Sequence, residues 1–344
     1  MQLNDPILAL FADADDENTW YSSLSMIPEV IRIIANRFLL VTLDNMRGLG
    51  INPRLAIVSG ALYPTMMPEL IKELKNNFPR MEILVLSSTV APFPQIERLL
   101  TDKVRHLVIE PISQNAALYR NQSPLLLAVN NLVNKQKWEI AEYVKDGTQI
   151  HVFQLSSSNE KEQVIGTIES MVRGETAEHE LLRQKGALLA DEMLENAFYG
   201  APKGADGNKI FRKGEQRSLL PGEKIVFRFA FDGETLAMEM ADNWGSLAPD
   251  MIMEYLARNQ NSIGLPDDIG GRGLFIIWRF LDQFHVNITP GNQTVVGGHL
   301  RVSSPFPPEA PRGFHITTTE KEKNQWMHYY TSFLTVFHNT ITSR

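Results

Sequence analysis

Four short apolar runs, PILALFA (6–12), RLAIVSG (54–60), EILVLSS (82–88) and VRHLVIE (104–110), constrain this chain more than anything else in it. Near-continuous apolarity marks strands buried on both faces, and helical patterns around 22–37, 66–77 and 94–101 separate them. Strands interleaved with helices form a parallel sheet covered on both sides, so the N-terminal part is expected to be a doubly wound α/β domain. Residues 113–146 read as one or two helices, with Leu125, Leu126, Val129, Leu132 and Val133 at helical spacing, and complete a first domain over 1–146.

The pattern changes after residue 147. TQIHVFQL (148–155) alternates as a strand, breaks at Ser156–Ser158 and enters a helix. EKIVFRFAFDGETLAMEMAD (223–242) is two alternating strands joined at Asp232-Gly233, a strong hairpin signal. A glycine cluster at Gly270, Gly271 and Gly273 leads into an apolar helix, and NQTVVGGHLRV (292–302) supplies a closing strand. The second domain is assigned to 147–304. A proline-rich connector, PFPPEAPRG (305–313), opens a C-terminal extension over 305–344 that is expected to be helical, with Trp326, Tyr329, Tyr330, Phe333, Val336 and Phe337 at helical spacing and packed back on the core.

Charge and composition exclude several classes of function. The net charge of −7 disfavours nonspecific attraction to nucleic acid or anionic lipid. With no cysteine there is no disulfide framework, thiolate metal site or cysteine nucleophile, which suits a reducing compartment. The N-terminus lacks a basic leader, and no stretch approaches the roughly 20 apolar residues that span a bilayer. The expectation is a cytoplasmic protein with no membrane and no nucleic-acid partner.

The candidate site begins at DEMLENAFYGAP (191–202), where Glu192 and Asn196 stand four apart and therefore on one helix face. Gly200 and Pro202 end that helix. Alone, a glutamate and an asparagine on a helix make a solvated face. Two later stretches change the balance. The second hairpin strand ends at Asp242-Asn243-Trp244-Gly245, and the glycine cluster offers free amides at a helix start, suited to an anion or else to a tight packing turn. The stretch 204–211, GADGNKIF, lacks Gly-Lys-Ser/Thr, so it reads as an exposed hairpin rather than a phosphate loop.

From about Gln149 to Val302 these segments resemble the GHKL ATPase superfamily, and within it the anti-sigma-factor serine kinase type. The likeness is carried by a Glu-x-x-x-Asn-Ala box (Glu192, Asn196, Ala197), an Asp box (Asp242, with Gly245 following), a Gly-Arg-Gly-Leu box (Gly271, Arg272, Gly273, Leu274) and Thr294. It implies an α+β sandwich that binds ATP and Mg²⁺. Asp242 would read the adenine amino group, Asn196 would ligate Mg²⁺ through its amide oxygen, Glu192 would be the catalytic base, and 246–269 would be a lid. Two positions depart from that family: Trp244 stands where a glycine is usual, and Gly200 where the serine kinases commonly carry histidine.

Residues 5–145 resemble the receiver domain of bacterial response regulators, with acidic residues after the first strand (Asp13, Asp15, Asp16) and Ser87-Ser88 ending a later one. Ser59-Gly60 occupies the place of the family's phosphoacceptor aspartate, and Glu110 that of its lysine. This implies a pseudo-receiver, with the three aspartates solvating a loop or capping a helix. The combined expectation is a signalling protein in which the pseudo-receiver regulates an ATP-dependent serine/threonine kinase. Its partner would be an anti-sigma-antagonist-like protein or a sigma factor, and a homodimer is one form it could take. The alternative is a nonenzymatic, nucleotide-gated binding module that sequesters a sigma factor or other regulator.

Overall fold

The computed structural model describes residues 6–62, 67–90, 95–110, 123–204, 208–260, 272–304, 306 and 310–319. The first half runs β1 (Ile7–Phe11), α1 (Ala14–Ser25), β2 (Val30–Ile34), α2 (Leu39–Gly48), β3 (Leu55–Ser59), α3 (Met67–Asn77), β4 (Glu82–Ser88), α4 (Ile96–Thr101), β5 (His106–Glu110) and α5 (Pro124–Asn134). Its strands are all parallel, in the order β2-β1-β3-β4-β5, the flavodoxin-like doubly wound order. Local chemistry starts two of the helices. Asp13 caps α1 by accepting from the Asp16 amide, and Ser123 caps α5 ahead of Pro124 at the first turn.

The helix expected around 22–37 is not there. Within that span α1 ends at Ser25 and β2 follows, because Val30, Ile31, Ile33 and Ile34 are β-branched and Glu29, at φ 57°, breaks any helix before them.

The second half runs β6 (His151–Leu155), α6 (Lys161–Met171), α7 (Ala177–Glu195), β7 (Ile225–Phe231), β8 (Thr235–Asp242), α8 (Pro249–Gln260), α9 (Arg272–Phe280), β9 (Gln283–Thr289), β10 (Gln293–Arg301) and β11 (Gly313–Thr318). Strands β6, β7, β8, β10 and β9 are antiparallel neighbours, and the β7–β8 turn is the predicted one, with Gly233 at φ 94° and Asp232 accepting from two following amides.

The two halves form one mixed sheet of eleven strands. Strand β11 lies between β5, to which it is antiparallel, and β9, to which it is parallel. Residues 313–318, expected in a helical extension, are thus the strand that joins the halves. Gly313 is needed there, since a Cβ would stand 2.9 Å from the Leu107 carbonyl oxygen and 2.9 Å from the Gln283 side chain. Trp326 and the other aromatic residues of 320–344 lie outside the described residues.

One apolar core continues across the seam, from Leu8 and Val58 through Leu107 to Phe227, Phe284 and Phe314. A second core packs α1 and α5 on the other face of the parallel strands. Helix α8 packs on α4, and Arg105 approaches Asp250 at 3.9 Å, so a helix of the second half rests on the first. On the opposite face of β9, residues 138–144 cover a polar row in which Tyr143 meets His285 (3.0 Å) and Asn287 bonds both Trp138 backbone groups. No helix among the described residues is long and apolar enough to cross a membrane.

Candidate functional site

Helix α7 buries Leu182, Leu189, Ala190, Met193 and Leu194 and leaves Glu192 half-buried at its C-terminal end. Asn196 begins a π-helical turn, Asn196–Gly200, closed by the Ala201 amide on the Asn196 carbonyl (2.8 Å). Wide turns of this kind are frequent at functional sites and leave carbonyls to be satisfied from outside. Here Arg217, buried and paired to both Glu223 oxygens at 2.6 Å, donates to the Phe198 carbonyl. Its guanidinium also lies 3.8 Å from the Phe211 ring centre and 5.6 Å from that of Trp244.

Gly273, at the start of α9, sits directly against this turn. A Cβ there would be 2.6 Å from Glu192 Oε2 and 3.1 and 3.2 Å from the Asn196 amide atoms. The two boxes, about eighty residues apart in sequence, are therefore in contact, and glycine is what permits it. Arg272 is exposed at the same helix start and is one of the cations that oppose the rise of the Glu192 pKa.

Asp242 ends β8, buried to 4% exposure, and accepts from the Trp244 amide at 2.9 Å and from the amides of Gly245 and Thr294. Burial pushes its pKa up to about 6 despite those three bonds. Thr294 is its register partner on β10, and the Thr294 hydroxyl is buried without a hydrogen-bond partner among the described residues. Gly245 is dictated by packing: at φ 57°, its Cβ would fall 2.3 Å from the Thr289 carbonyl oxygen. Trp244 thus takes the place beside Asp242 without entering the turn that needs glycine.

Asn196, Gly200, Asp242 and Leu274 share one cleft of about 710 Å³, part of it open to solvent. Met193, Met240, Leu247, Met251, Tyr255, Ile277 and Val296 make most of its wall apolar. A flat apolar ligand with a polar edge at Asp242 and an anionic end near Asn196 fits such a lining. Burial raises the Glu192 pKa, with Asp191 and Glu195 adding to the rise and Lys213 and Arg272 opposing it. Lys161 neutralises the other two carboxylates, pairing with Asp191 at 2.7 Å and with Glu195, which leaves Glu192 without an ion pair among the described residues.

Of the residues singled out in the sequence, Asn196, Asp242 and Leu274 line this cleft, Gly273 and Glu192 meet at its Asn196 end beside Arg272, and Thr294 and Gly245 hold Asp242 through their backbone amides. Gly271 and residues 261–269 of the expected lid lie outside the described residues. Sequence reasoning missed Lys203 and Lys209, which also line the cleft. Their flanking of the short hairpin after Pro202 was the available signal.

In the first half, Ser59 is buried and donates to Asp16 Oδ1 at 2.8 Å, while Asp16 Oδ2 accepts from the Ala12 amide. Glu110 accepts from Ser23 and from the Leu125 amide at the start of α5, so it ties two helices to the sheet.

No known protein family matches the chain, and no curated protein does. Two solved structures of the Salmonella typhimurium RcsB response regulator are similar to part of it. One is 16% identical and covers 49% of this chain and 79% of that one, with a TM-score of 0.27. The other is 15% identical and covers 54% and 92%, with a TM-score of 0.26.

Proposed function

We propose that the cleft binds ATP with Mg²⁺, and that the chain is a signalling protein whose GHKL-type half phosphorylates a serine or threonine of a regulatory partner under the influence of its receiver-like half. The observation that carries this reading is the convergence of three sequence-distant boxes on one cleft, with Gly273 against Glu192 and Asn196 and the buried Asp242 at the other end. Asp242 would accept the adenine amino proton, a charge-assisted bond of roughly 1.5–3 kcal/mol. Thr294, its register partner, donates its backbone amide to Asp242 and so helps to hold that carboxylate in place.

The donor set suits Mg²⁺, which takes few protein oxygens and keeps waters and phosphate oxygens, so one amide oxygen from Asn196 is enough. When bound, the ion would neutralise charge on the phosphates. Glu192, with its pKa raised, is the group placed to take the proton of an attacking hydroxyl as the bond from the γ-phosphorus to the bridging oxygen breaks and ADP leaves. The partner class the resemblance favours is an anti-sigma-antagonist-like protein or a sigma factor.

The test pairs two measurements on the whole chain. Calorimetry should find ATP bound in preference to GTP, with Asp242→Ala removing the preference. Glu192→Ala should keep ATP affinity within a few-fold and abolish phosphate transfer to a partner captured with ATP. Equal ATP and GTP affinities exclude Asp242 from the pocket. Partner retention that depends on ATP but yields no phosphoserine or phosphothreonine, and that survives Glu192→Ala, replaces the kinase by a nucleotide-gated binding module.

A further inference from the structure

Two lysines that follow the π-turn, Lys203 and Lys209, line the cleft. Lys203 and Lys209 form a cross-strand bridge, steadied by the Gly204 amide on the Asn208 carbonyl (2.8 Å), and both line the cleft with Asn196 and Asp242. Three cations near the end of α7 have carboxylate partners: Lys161 pairs with Asp191 and Glu195, Lys213 with Glu195 at 3.6 Å, and Arg217 with Glu223. Lys203 and Lys209 have no carboxylate partner among the described residues.

Like charges placed opposite one another across two strands repel, so this bridge costs stability in the empty cleft. An anion lying between the two ammonium groups turns that repulsion into attraction, and in a cleft of low polarity the gain is larger than in open water. The carboxylate that lines the cleft, Asp242, is engaged by three backbone amides and pairs with neither lysine among the described residues, so a ligand's negative charge is free to meet them.

We propose that Lys203 and Lys209 clamp the polyphosphate of the ligand, so that a chain of two or more phosphates, and not the base alone, is the condition for tight binding. The clamp rests on the proposed nucleotide site for its adenine end but can be tested apart from it. It also supplies cationic charge near Gly200, the position at which the serine kinases commonly carry histidine.

The experiment is calorimetry on the full chain and on Lys203→Gln, Lys209→Gln and the double variant, with ATP, ADP, adenosine and inorganic tripolyphosphate as titrants at two salt concentrations. Thermal melts check that the variants fold. Each substitution should weaken ATP about tenfold, from the loss of one charge-assisted bond, and the double variant about a hundredfold, leaving adenosine within twofold. Tripolyphosphate should bind the wild type and lose most of its affinity in the double variant, and rising salt should weaken ATP less in that variant than in the wild type. An unchanged ATP affinity in a folded double variant overturns the clamp while leaving the nucleotide site in place. A wild type that binds tripolyphosphate but neither ATP nor adenosine overturns the nucleotide site and leaves the clamp. A wild type that binds none of the four overturns both.

Discussion

Two glycines touch the same asparagine, and substituting each by alanine separates the proposed geometry from ordinary packing. At Gly273 the new Cβ would meet Glu192 Oε2 at 2.6 Å, whereas at Gly200 it would stand 3.7 Å from Asn196 Oδ1, an ordinary contact. To reach about 3.4 Å the Glu192 carboxylate has to move by about 0.8 Å, and the Asn196 amide by two or three tenths. Glu192 is half-buried and its carboxylate is the far end of a flexible side chain, so it swings away. Overpacking costs roughly 1–3 kcal/mol, offset by the 0.5–1 kcal/mol that alanine gains over glycine in a helix, which leaves Gly273→Ala between neutral and about 2 kcal/mol destabilising. The larger effect falls on the site, where the displaced carboxylate repels phosphate and the shifted amide misplaces a metal ligand. Thermal melts and ATP titrations with Mg²⁺ should show Gly273→Ala folded with ATP weakened by about tenfold or more, and Gly200→Ala at or above wild type in both. Wild-type ATP affinity in Gly273→Ala, or a heavier loss in Gly200→Ala, would refute the placement of α9 against the π-turn.

ATP affinity should fall as pH drops through about 6, where the buried Asp242 carboxyl takes up its proton, and the roughly fivefold loss expected from making the bond to adenine neutral should vanish in Asp242→Asn; a pH-independent wild type contradicts that role. Burial pulls His285 from its usual 6.5 to about 3, and His299 and His315 well below the usual range, among Tyr143, His106, Glu239 and Arg301. The unfolded chain protonates these histidines near 6.5 and the folded one does not, so stability should decline as pH falls from 6.5 toward 3, at about 1.4 kcal/mol per pH unit for each histidine. Burial also raises the folded pKa of Asp242, Glu110, Glu142, Glu192, Glu239 and Asp282, and these carboxyls act in the opposite sense at lower pH, so the histidine slope is read in urea melts between pH 7 and 6, where a flat profile contradicts the buried neutral cluster. Acetyl phosphate with Mg²⁺ should add no phosphoryl mass to the first half, because Ser59 is buried and bonded to Asp16 and Glu110 is engaged by α1 and α5.

Much of the architecture was legible from local pattern. The apolar runs 6–12, 54–60, 82–88 and 104–110 became β1, β3, β4 and β5, and Asp232-Gly233 became the turn it signals. These signals are short-range: burial on both faces imposes continuous apolarity, and a tight turn demands particular residues. β2 was read as helix, because a short apolar run fits either period until its β-branching is weighed. The glutamate, asparagine, aspartate and glycine boxes were visible only as a set that resembles a known family, since each alone reads as a solvated helix face, a strand end or a packing turn.

What the sequence could not decide is which distant pieces lie side by side. Nothing local in GFHITT says that it inserts between β5 and β9 and turns two half-sheets into one; that choice depends on the gap at Leu107 and Gln283, which exists only once both halves are folded. Period and turn chemistry specify which face of an element is buried, whereas the identity of its neighbour is a property of the whole packing. The same holds for the site. Gly273 meets Glu192 through the packing of α9 on α7, Lys203 and Lys209 reach the cleft through a hairpin hung on a π-turn, and Asp242 is held near pH 6 by burial that the tertiary structure alone creates.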